Sequence, residues 1–264
     1  MSAPHYDKYA DFQNEMARSL AKRVDAAGFS GAVALDLGCG TGSLAVTLAE
    51  SGAFRKVLAH DISFGMLNMA RNKLNGSLCL AQAEAGFLPV RNGSLDLIVS
   101  NLVLQWIPDL PRTTRQMSMA LKEGGRLMAT TLGSNTFKEL RESVTSVMEE
   151  AGNPVDASSF HRFTDERQLV RAAEEAGFEI EIKTEKHERI FGSFADFMRT
   201  LKRQGVQNNR GLSNLGLGRR GVMRRLSEEY QRRNGCDSGV RVTYEALHVD
   251  ARLARPTHGA MGGR

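Results

Sequence analysis

The stretch Val33-Ala34-Leu35-Asp36-Leu37 is apolar apart from one carboxylate and runs without a break into Gly38-Cys39-Gly40-Thr41-Gly42, after which Ser43 opens a helical pattern. Such a run specifies a buried strand, a turn whose glycines accept torsions closed to other residues, and a helix. That is the first unit of an open sheet in which small molecules lie at the carboxyl ends of the strands. The alternation continues. Lys56 to His60 reads as a strand and Ser63 to about Leu74 as a helix. Leu78 to Ala81 and Leu95 to Ser100 are short strands, the second preceded by an Asn92-Gly93 turn. Pro108 to Lys122 is helical ahead of the Gly124-Gly125 turn and the strand Arg126 to Thr131. Strands alternating with helices of this length need a parallel sheet covered on both faces. The fold class is therefore α/β, a doubly wound and mostly parallel sheet of seven strands.

The flanks complete it. Phe12, Met16, Leu20 and Val24 recur at helical spacing, and Gly28 ends that helix. Thr136 to Ala151 and Thr164 to Ala176 are predicted helices. Glu179 to Lys183 alternates as an edge strand with one solvated face, and Val240 to Val249 closes the sheet. Between these two strands, residues 193–233 read as a helical insertion over the ligand edge. At 264 residues the chain is expected to form one large domain, residues 1–253. Its parts are an N-terminal lid and helix at 1–30, a ligand-binding core at 33–131 and the insertion; 254–264 reads as an unstructured tail.

Several function classes fall away. The longest apolar stretch, Leu95 to Ile107, is interrupted by Asp96, Ser100, Asn101 and Gln105, so no membrane span of ~20 residues is expected. The N-terminus shows no leader pattern, which predicts a cytoplasmic protein. Cys39, Cys79 and Cys236 form no CxxC pair and the histidines show no ligand spacing, so no metal site is expected. Charge is uneven: nine basic residues lie between Lys202 and Arg233 against Glu228 and Glu229, a local excess above the +5 of the whole chain. This predicts an anionic partner, or else a solvated helix face. Nucleic acid is not expected, because Tyr230 is the only aromatic residue in that block.

The spacing of the turn narrows the ligand. Dinucleotide enzymes use GxGxxG to seat a pyrophosphate on a helix N-terminus; here the glycines run GxGxG and Ser43 stands where the third glycine would fall. A nucleoside without phosphates fits better. His60-Asp61 ends the second strand and places a carboxylate where ribose hydroxyls would be held.

The motif DLGCGTG, followed by HDISFGML, resembles the class I S-adenosylmethionine-dependent methyltransferases over about Val33 to Thr131. The resemblance implies S-adenosyl-L-methionine as cofactor. It implies that Asp36 belongs to the cofactor site, that Gly38, Gly40 and Gly42 line the methionine portion, that Asp61 holds the ribose, and that Ile62 and Met66 flank the adenine. Glu84 takes the position that receives the adenine amine, where the family more often has Asp. Three further stretches, HYDKYADFQNEMARSL, SNLVLQWIPDL and ADFMRTLKRQGVQNN, are similar to the malonyl-acyl-carrier-protein O-methyltransferases of biotin synthesis. This second resemblance covers nearly the whole chain and implies malonyl-acyl carrier protein, or malonyl-coenzyme A, as acceptor. Two alternatives stay open: a methyltransferase-like mitochondrial assembly factor or hydroxylase sharing the SNLVLQW-type segment, and a small-molecule O- or C-methyltransferase.

A carboxylate acceptor, which ordinarily titrates at a pH of about 4, is ionised at neutral pH and needs no general base. In keeping with this, the sequence has no GxSxG elbow. The resemblance implies that Tyr6 folds over the cofactor as part of a lid; the alternative is an aromatic staple for the first helix. Asn101 is expected to begin a loop facing the cofactor, or else to stabilise that loop by a hydrogen bond; the backbone of Gln105 and Trp106 is expected to border the acceptor pocket, with the Trp106 ring either a substrate wall or a core anchor. Arg199 and Lys202 stand i, i+3 on a predicted helix, so both can face an anion. Arg199 is the first choice for the substrate carboxylate because a guanidinium binds it with two parallel hydrogen bonds.

Overall fold

The computed structural model describes residues 11–73, 79–153, 155, 160–161, 163–203 and 220–254. In chain order the elements are α1 (Asp11–Ala26), β1 (Ala32–Leu37), α2 (Ser43–Glu50), β2 (Phe54–Asp61), α3 (Phe64–Lys73), β3 (Cys79–Gln82) and β4 (Leu95–Asn101). They continue with α4 (Leu110–Ala120), β5 (Leu121–Leu132), α5 (Lys138–Glu150), α6 (Glu166–Glu175), β6 (Phe178–Phe191), α7 (Phe194–Arg203), α8 (Arg220–Asn234), β7 (Gly235–Cys236) and β8 (Gly239–Leu253). The strand order is β3-β2-β1-β4-β5-β8-β6, and the two-residue β7 pairs with β8. β1 is parallel to β2 and β4, β2 to β3, and β4 to β5. β8 runs against β5, because the contacts step from Arg126–Asp250 to Thr130–His248 and then Gly133–Glu245. The expected doubly wound, mostly parallel sheet is present, with β7 as an addition the sequence did not announce.

The residues gather into two compact units. The first holds Phe12–Thr131, Glu166–Lys183 and His248–Arg264; the second holds Met1–Asp11, Leu132–Asp165 and Thr184–Leu247. In the first, alternate strand residues feed two apolar clusters. Val33, Leu35, Leu37, Ile98 and Leu127 pack with Met117 of α4 and Leu169 of α6, while Ala34, Val57, Ala59, Leu97 and Val99 pack with Leu20 of α1, Leu48 of α2 and Leu67 of α3. Both faces of β1 are covered, which explains its uninterrupted apolar sequence. The predicted stripe of α1 is the buried one, Phe12, Met16, Leu20 and Val24. Truncating a buried leucine in such a cluster costs about 2–5 kcal/mol.

Several boundaries moved for identifiable reasons. α4 begins at Leu110 because the Asp109 side chain accepts the Arg112 N–H and caps it. β5 begins at Leu121, ahead of the Gly124-Gly125 pair. Leu121 already pairs with Leu95, the next pairing joins Leu97 to Arg126, and the glycines occupy the irregularity between them. β6 is far longer than the alternating segment suggested, and its exposed positions change parity between Lys183 and Thr184.

In the second unit Phe137 lies edge-on to Phe163, Phe197 and Tyr244. Phe194 packs on Tyr230, whose hydroxyl donates to the Arg241 carbonyl at 2.9 Å. α5 starts at Lys138, later than its periodicity implied, because Phe137 has φ 57° and interrupts the helical path. Of the predicted tail, Ala254 is described and its N–H donates to the Gly177 carbonyl at 3.0 Å; residues 255–264 lie outside the described residues. Among the described residues, no helix is long and apolar enough to cross a membrane.

Candidate active site

β1 carries Asp36 and Leu37 to its carboxyl end, where the chain turns through Gly38, Gly40 and Gly42 at φ 72°, 53° and 82°. A left-handed torsion costs a residue with a Cβ roughly 1–2 kcal/mol, so the turn selects glycine. The surroundings of two of them differ. A Cβ on Gly38 would lie 2.5 Å from Val103 Cγ2, whereas one on Gly40 would meet nothing within 4 Å among the described residues. Gly38 is packed against protein, and Gly40 presents bare backbone to open space.

Asp61 closes β2 and ties the neighbouring loops. Its Oδ2 accepts the Gly40 N–H at 2.9 Å and its Oδ1 the Ser63 N–H at 2.8 Å. The His60 carbonyl accepts the N–H groups of Gly38 and Cys39 at 2.9 Å, and the Asp61 carbonyl accepts the Ala83 N–H at 3.2 Å. Gln82 Nε2 donates to the Ile62 carbonyl at 3.0 Å. The loops after β1 and β2 thus meet at the Asp61 carboxylate and the loop after β3 at its main-chain carbonyl, and each carboxylate oxygen keeps a second lone pair.

Two buried groups shape the electrostatics. Asp36 is 1% exposed and its Oδ2 has no hydrogen-bond partner. Burial pushes its carboxyl up to about 7; the Ala45 N–H in the first turn of α2 opposes this, and the Asp61 charge adds to it. The His60 ring is equally buried with neither nitrogen bonded, and burial pulls it down to about 4 against the pull of Asp61.

The other expected residues are placed as follows. Ile62 is 69% exposed, Met66 is half-buried in the first turn of α3, and Glu84 is exposed just beyond β3. Asn101 ends β4, but its Nδ2 donates to the Gln13 carbonyl of α1 at 3.0 Å, so its amide is engaged with a helix. Tyr6 lies outside the described residues. Arg199 and Lys202 are exposed on α7, in the second unit, and Arg199 pairs with Asp196 one helical turn back. Glu229 binds both Arg232 and Arg233 and accepts from Ser146, and the bonds from Arg232 and Arg233 pull its carboxyl down to about 2. Sequence reasoning missed Lys73, whose Nζ donates to Thr41 Oγ1 at 3.0 Å, and the seating of Val103 on Gly38. Both contacts join residues far apart in the chain, and neither leaves a local pattern.

The fold and the glycine turn define a Rossmann-like methyltransferase, and a family model described as a methyltransferase domain matches residues 9–182. The Bacillus subtilis YcgJ protein superposes with a TM-score of 0.63 at 15% identity, covering 90% of this chain and 99% of that one. A phosphoethanolamine N-methyltransferase of Haemonchus contortus, solved with S-adenosyl-L-methionine, superposes with a TM-score of 0.55 at 19% identity, covering 91% and 52%. The malonyl-[acyl-carrier protein] O-methyltransferase of Geobacter sulfurreducens is 30% identical over 249 residues, covering 93% of each chain. The chain belongs to the malonyl-[acyl-carrier protein] O-methyltransferase family.

Proposed function

We propose that this protein transfers the methyl group of S-adenosyl-L-methionine to the free carboxylate of a malonyl thioester borne by acyl carrier protein. The observation that carries the reading is the turn in which Gly40 opens onto space beside Asp61, in a chain whose relatives match it over nearly its full length.

The residues present fit the cofactor. The bare Gly40 backbone leaves room for a close-lying ligand. The unpartnered Asp36 Oδ2 offers an acceptor to an ammonium group, and the exposed Ile62 offers an apolar face to a base. Asp61 keeps lone pairs for ribose hydroxyls, and Glu84 stands at the end of β3 for the adenine amine. S-adenosylmethionine supplies an electrophilic methyl carbon on a sulfonium. The malonate oxygen is already ionised, so the protein's task is to orient that oxygen in line, exclude water and balance its charge, effects worth about 7–11 kcal/mol together in well-oriented systems. Tyr6 is assigned to the lid. Arg199 and Lys202 are assigned to the substrate carboxylate, with Arg199 exchanging Asp196 for it. The basic segment 202–233 is assigned to steering an acidic carrier protein.

The test is incubation with methyl-labelled cofactor and malonyl-acyl carrier protein, with malonyl-coenzyme A in parallel. A base-labile labelled methyl ester on the carrier is the expected product; its absence from an enzyme that binds S-adenosylhomocysteine overturns the acceptor assignment.

A further inference from the structure

The segment that leaves β4 has a backbone its sequence does not explain. Leu102 is neither glycine nor asparagine, yet its φ is 57°. Residues forced into this region persist only where their surroundings hold them. Three contacts do so. The Leu102 N–H donates to the Thr130 carbonyl at 2.7 Å. The Leu102 carbonyl accepts from Gln105 Nε2 at 2.9 Å, and Gln105 Oε1 in turn accepts from Thr131 Oγ1 at 2.7 Å. Gln105 is 8% exposed and Thr131 fully buried, so water does not compete for these bonds. Beyond Leu102 the chain tightens into a short 3-10 turn, Leu104–Trp106, in which the Trp106 N–H closes on the Val103 carbonyl at 2.8 Å. Held between the left-handed residue and this turn, the Val103 side chain abuts Gly38, so closely that a Cβ there would overlap it.

We infer that Gln105 is a positioning residue for the cofactor turn. Its carboxamide links Thr131 of β5 to the left-handed Leu102, and Leu102 in turn presses Val103 onto Gly38. The line of contact runs from β5 through Gln105, Leu102 and Val103 to the glycine turn, so the loop after β4 sets the height at which the Gly38–Gly42 backbone stands. Gln105 touches neither cofactor nor substrate in this scheme; it acts through Val103. The inference rests on the reading that the glycine turn binds S-adenosylmethionine.

The test uses the full chain and S-adenosylhomocysteine as calorimetric probe, with kcat and KM for S-adenosylmethionine measured alongside. Gln105→Met keeps the side-chain length and removes both polar contacts; it is expected to weaken S-adenosylhomocysteine binding 10-fold or more and to raise KM with a smaller change in kcat. Thr131→Val, which leaves the bond to Leu102, is expected to weaken binding about 3-fold, and the double variant to be no worse than Gln105→Met, as members of one chain are not additive. Val103→Ala, with the loop lock intact, is expected to weaken binding 5-fold or more. Adding Leu102→Gly to Gln105→Met is expected to recover most of the lost affinity, since glycine holds a positive φ without support. A melting temperature lowered by Gln105→Met with affinity within twofold of wild type would show a structural role only. Failure of Leu102→Gly to restore binding, or an unchanged Val103→Ala, overturns the proposed line of contact. A wild-type protein that binds no S-adenosylhomocysteine overturns the cofactor reading itself, a result distinct from variants that bind as wild type does.

Discussion

Two turns in this molecule have the same topology and opposite character. One follows β1 and enters α2; the other follows β5 and enters α5. Each takes the chain from the carboxyl end of a strand into a helix through left-handed backbone. The first uses Gly38, Gly40 and Gly42, and the second uses Phe137. Around Phe137 the space is filled: three aromatic rings meet its edges or faces, Asn135 donates from its main chain and side chain to the buried Glu245, and the Arg141 guanidinium donates to the carbonyls of Ser134 and Thr136. Among the described residues, nothing lies within 4 Å of a would-be Cβ on Gly40, and the Asp36 Oδ2 has no hydrogen-bond partner. The Phe137 turn satisfies itself, while the glycine turn leaves room for the ligand proposed above. A loop that follows a strand is therefore a site only where its own side chains leave it open.

The largest expected effect separates two glycines of the open turn. Gly38→Ala combines a left-handed torsion with overlap on Val103, so it is expected to destabilise the protein by about 2–4 kcal/mol and abolish measurable S-adenosylhomocysteine binding. Gly40→Ala carries the torsional cost alone, roughly 1–2 kcal/mol, but places a methyl group in the space assigned to the ligand. Denaturant midpoints and calorimetry on both variants decide the matter. If Gly40→Ala binds the probe as wild type does, the openness of the turn has no functional meaning.

The closed turn should respond in the opposite sense. Phe137→Ala keeps the unfavourable torsion and loses the aromatic contacts, so it is expected to cost about 3–5 kcal/mol of stability. Affinity for S-adenosylhomocysteine in the folded fraction should remain within about twofold, set against the factor of ten that corresponds to 1.4 kcal/mol. A collapse of cofactor affinity with little loss of stability would mean that this turn, too, belongs to the site.

The contrast also shows what a sequence can and cannot disclose. The glycine turn was legible because its requirements are local: an apolar strand, torsions that only glycine accepts, and a helix start lie within one short run. The alternation that places it in a doubly wound sheet was legible for the same reason. The Phe137 turn was not, and periodicity carried the predicted helix back to Thr136, because what holds Phe137 left-handed is packing from Phe163, Phe197 and Tyr244. Leu102 repeats the lesson at the open site itself, since its support comes from Thr130 and Gln105. Asp61 was found as a carboxylate at a strand end, but its bonds to Gly40 and Ser63 depend on how two loops meet. Nor can counting residues in the charge block show which arginines Glu229 collects.

A smaller effect concerns protons in the open turn. Asp36 has a folded-state pKa raised to about 7, so its contribution to stability is fullest below about 4 and is lost as the pH rises through 7. His60 has a folded-state pKa lowered to about 4, so the fold is unpenalised above about 6.5 and loses stability as the pH falls toward 4. Each contribution is on the order of 3 kcal/mol, and they run in opposite directions over the same window. The wild type should therefore show an unfolding midpoint nearly flat in pH between about 4.5 and 6.5 as far as these two groups are concerned. Asp36→Asn removes one of them. That variant should be more stable than wild type at pH 7, lose stability steadily on acidification, and bind the cofactor more weakly. Thermal unfolding at several pH values reads all of this, and a variant as flat as wild type would mean that the two groups do not oppose one another.

The smallest expected effect lies on α8, at Glu229. Glu229 is bonded to Arg232, Arg233 and Ser146, and its carboxyl is held down to about 2, so it stays ionised at any working pH. Glu229→Gln leaves both guanidinium groups without their carboxylate and raises the net charge of the segment by one. Glu229 is largely covered but its arginines reach solvent, and pairs that reach solvent contribute about 1 kcal/mol or less to stability, so the melting temperature should move by a few degrees at most. If an acidic carrier protein approaches along this helix, its KM should fall by about two- to threefold at low ionic strength, because surface charge acts mainly on the rate of encounter. The gain should vanish in 1 M salt, where the screening length shrinks from ~10 Å at 0.1 M to ~3 Å. Malonyl-coenzyme A carries the same reacting carboxylate without the carrier's surface and should not respond. An equal response from both acceptors, or none from either, would place the docking face away from α8.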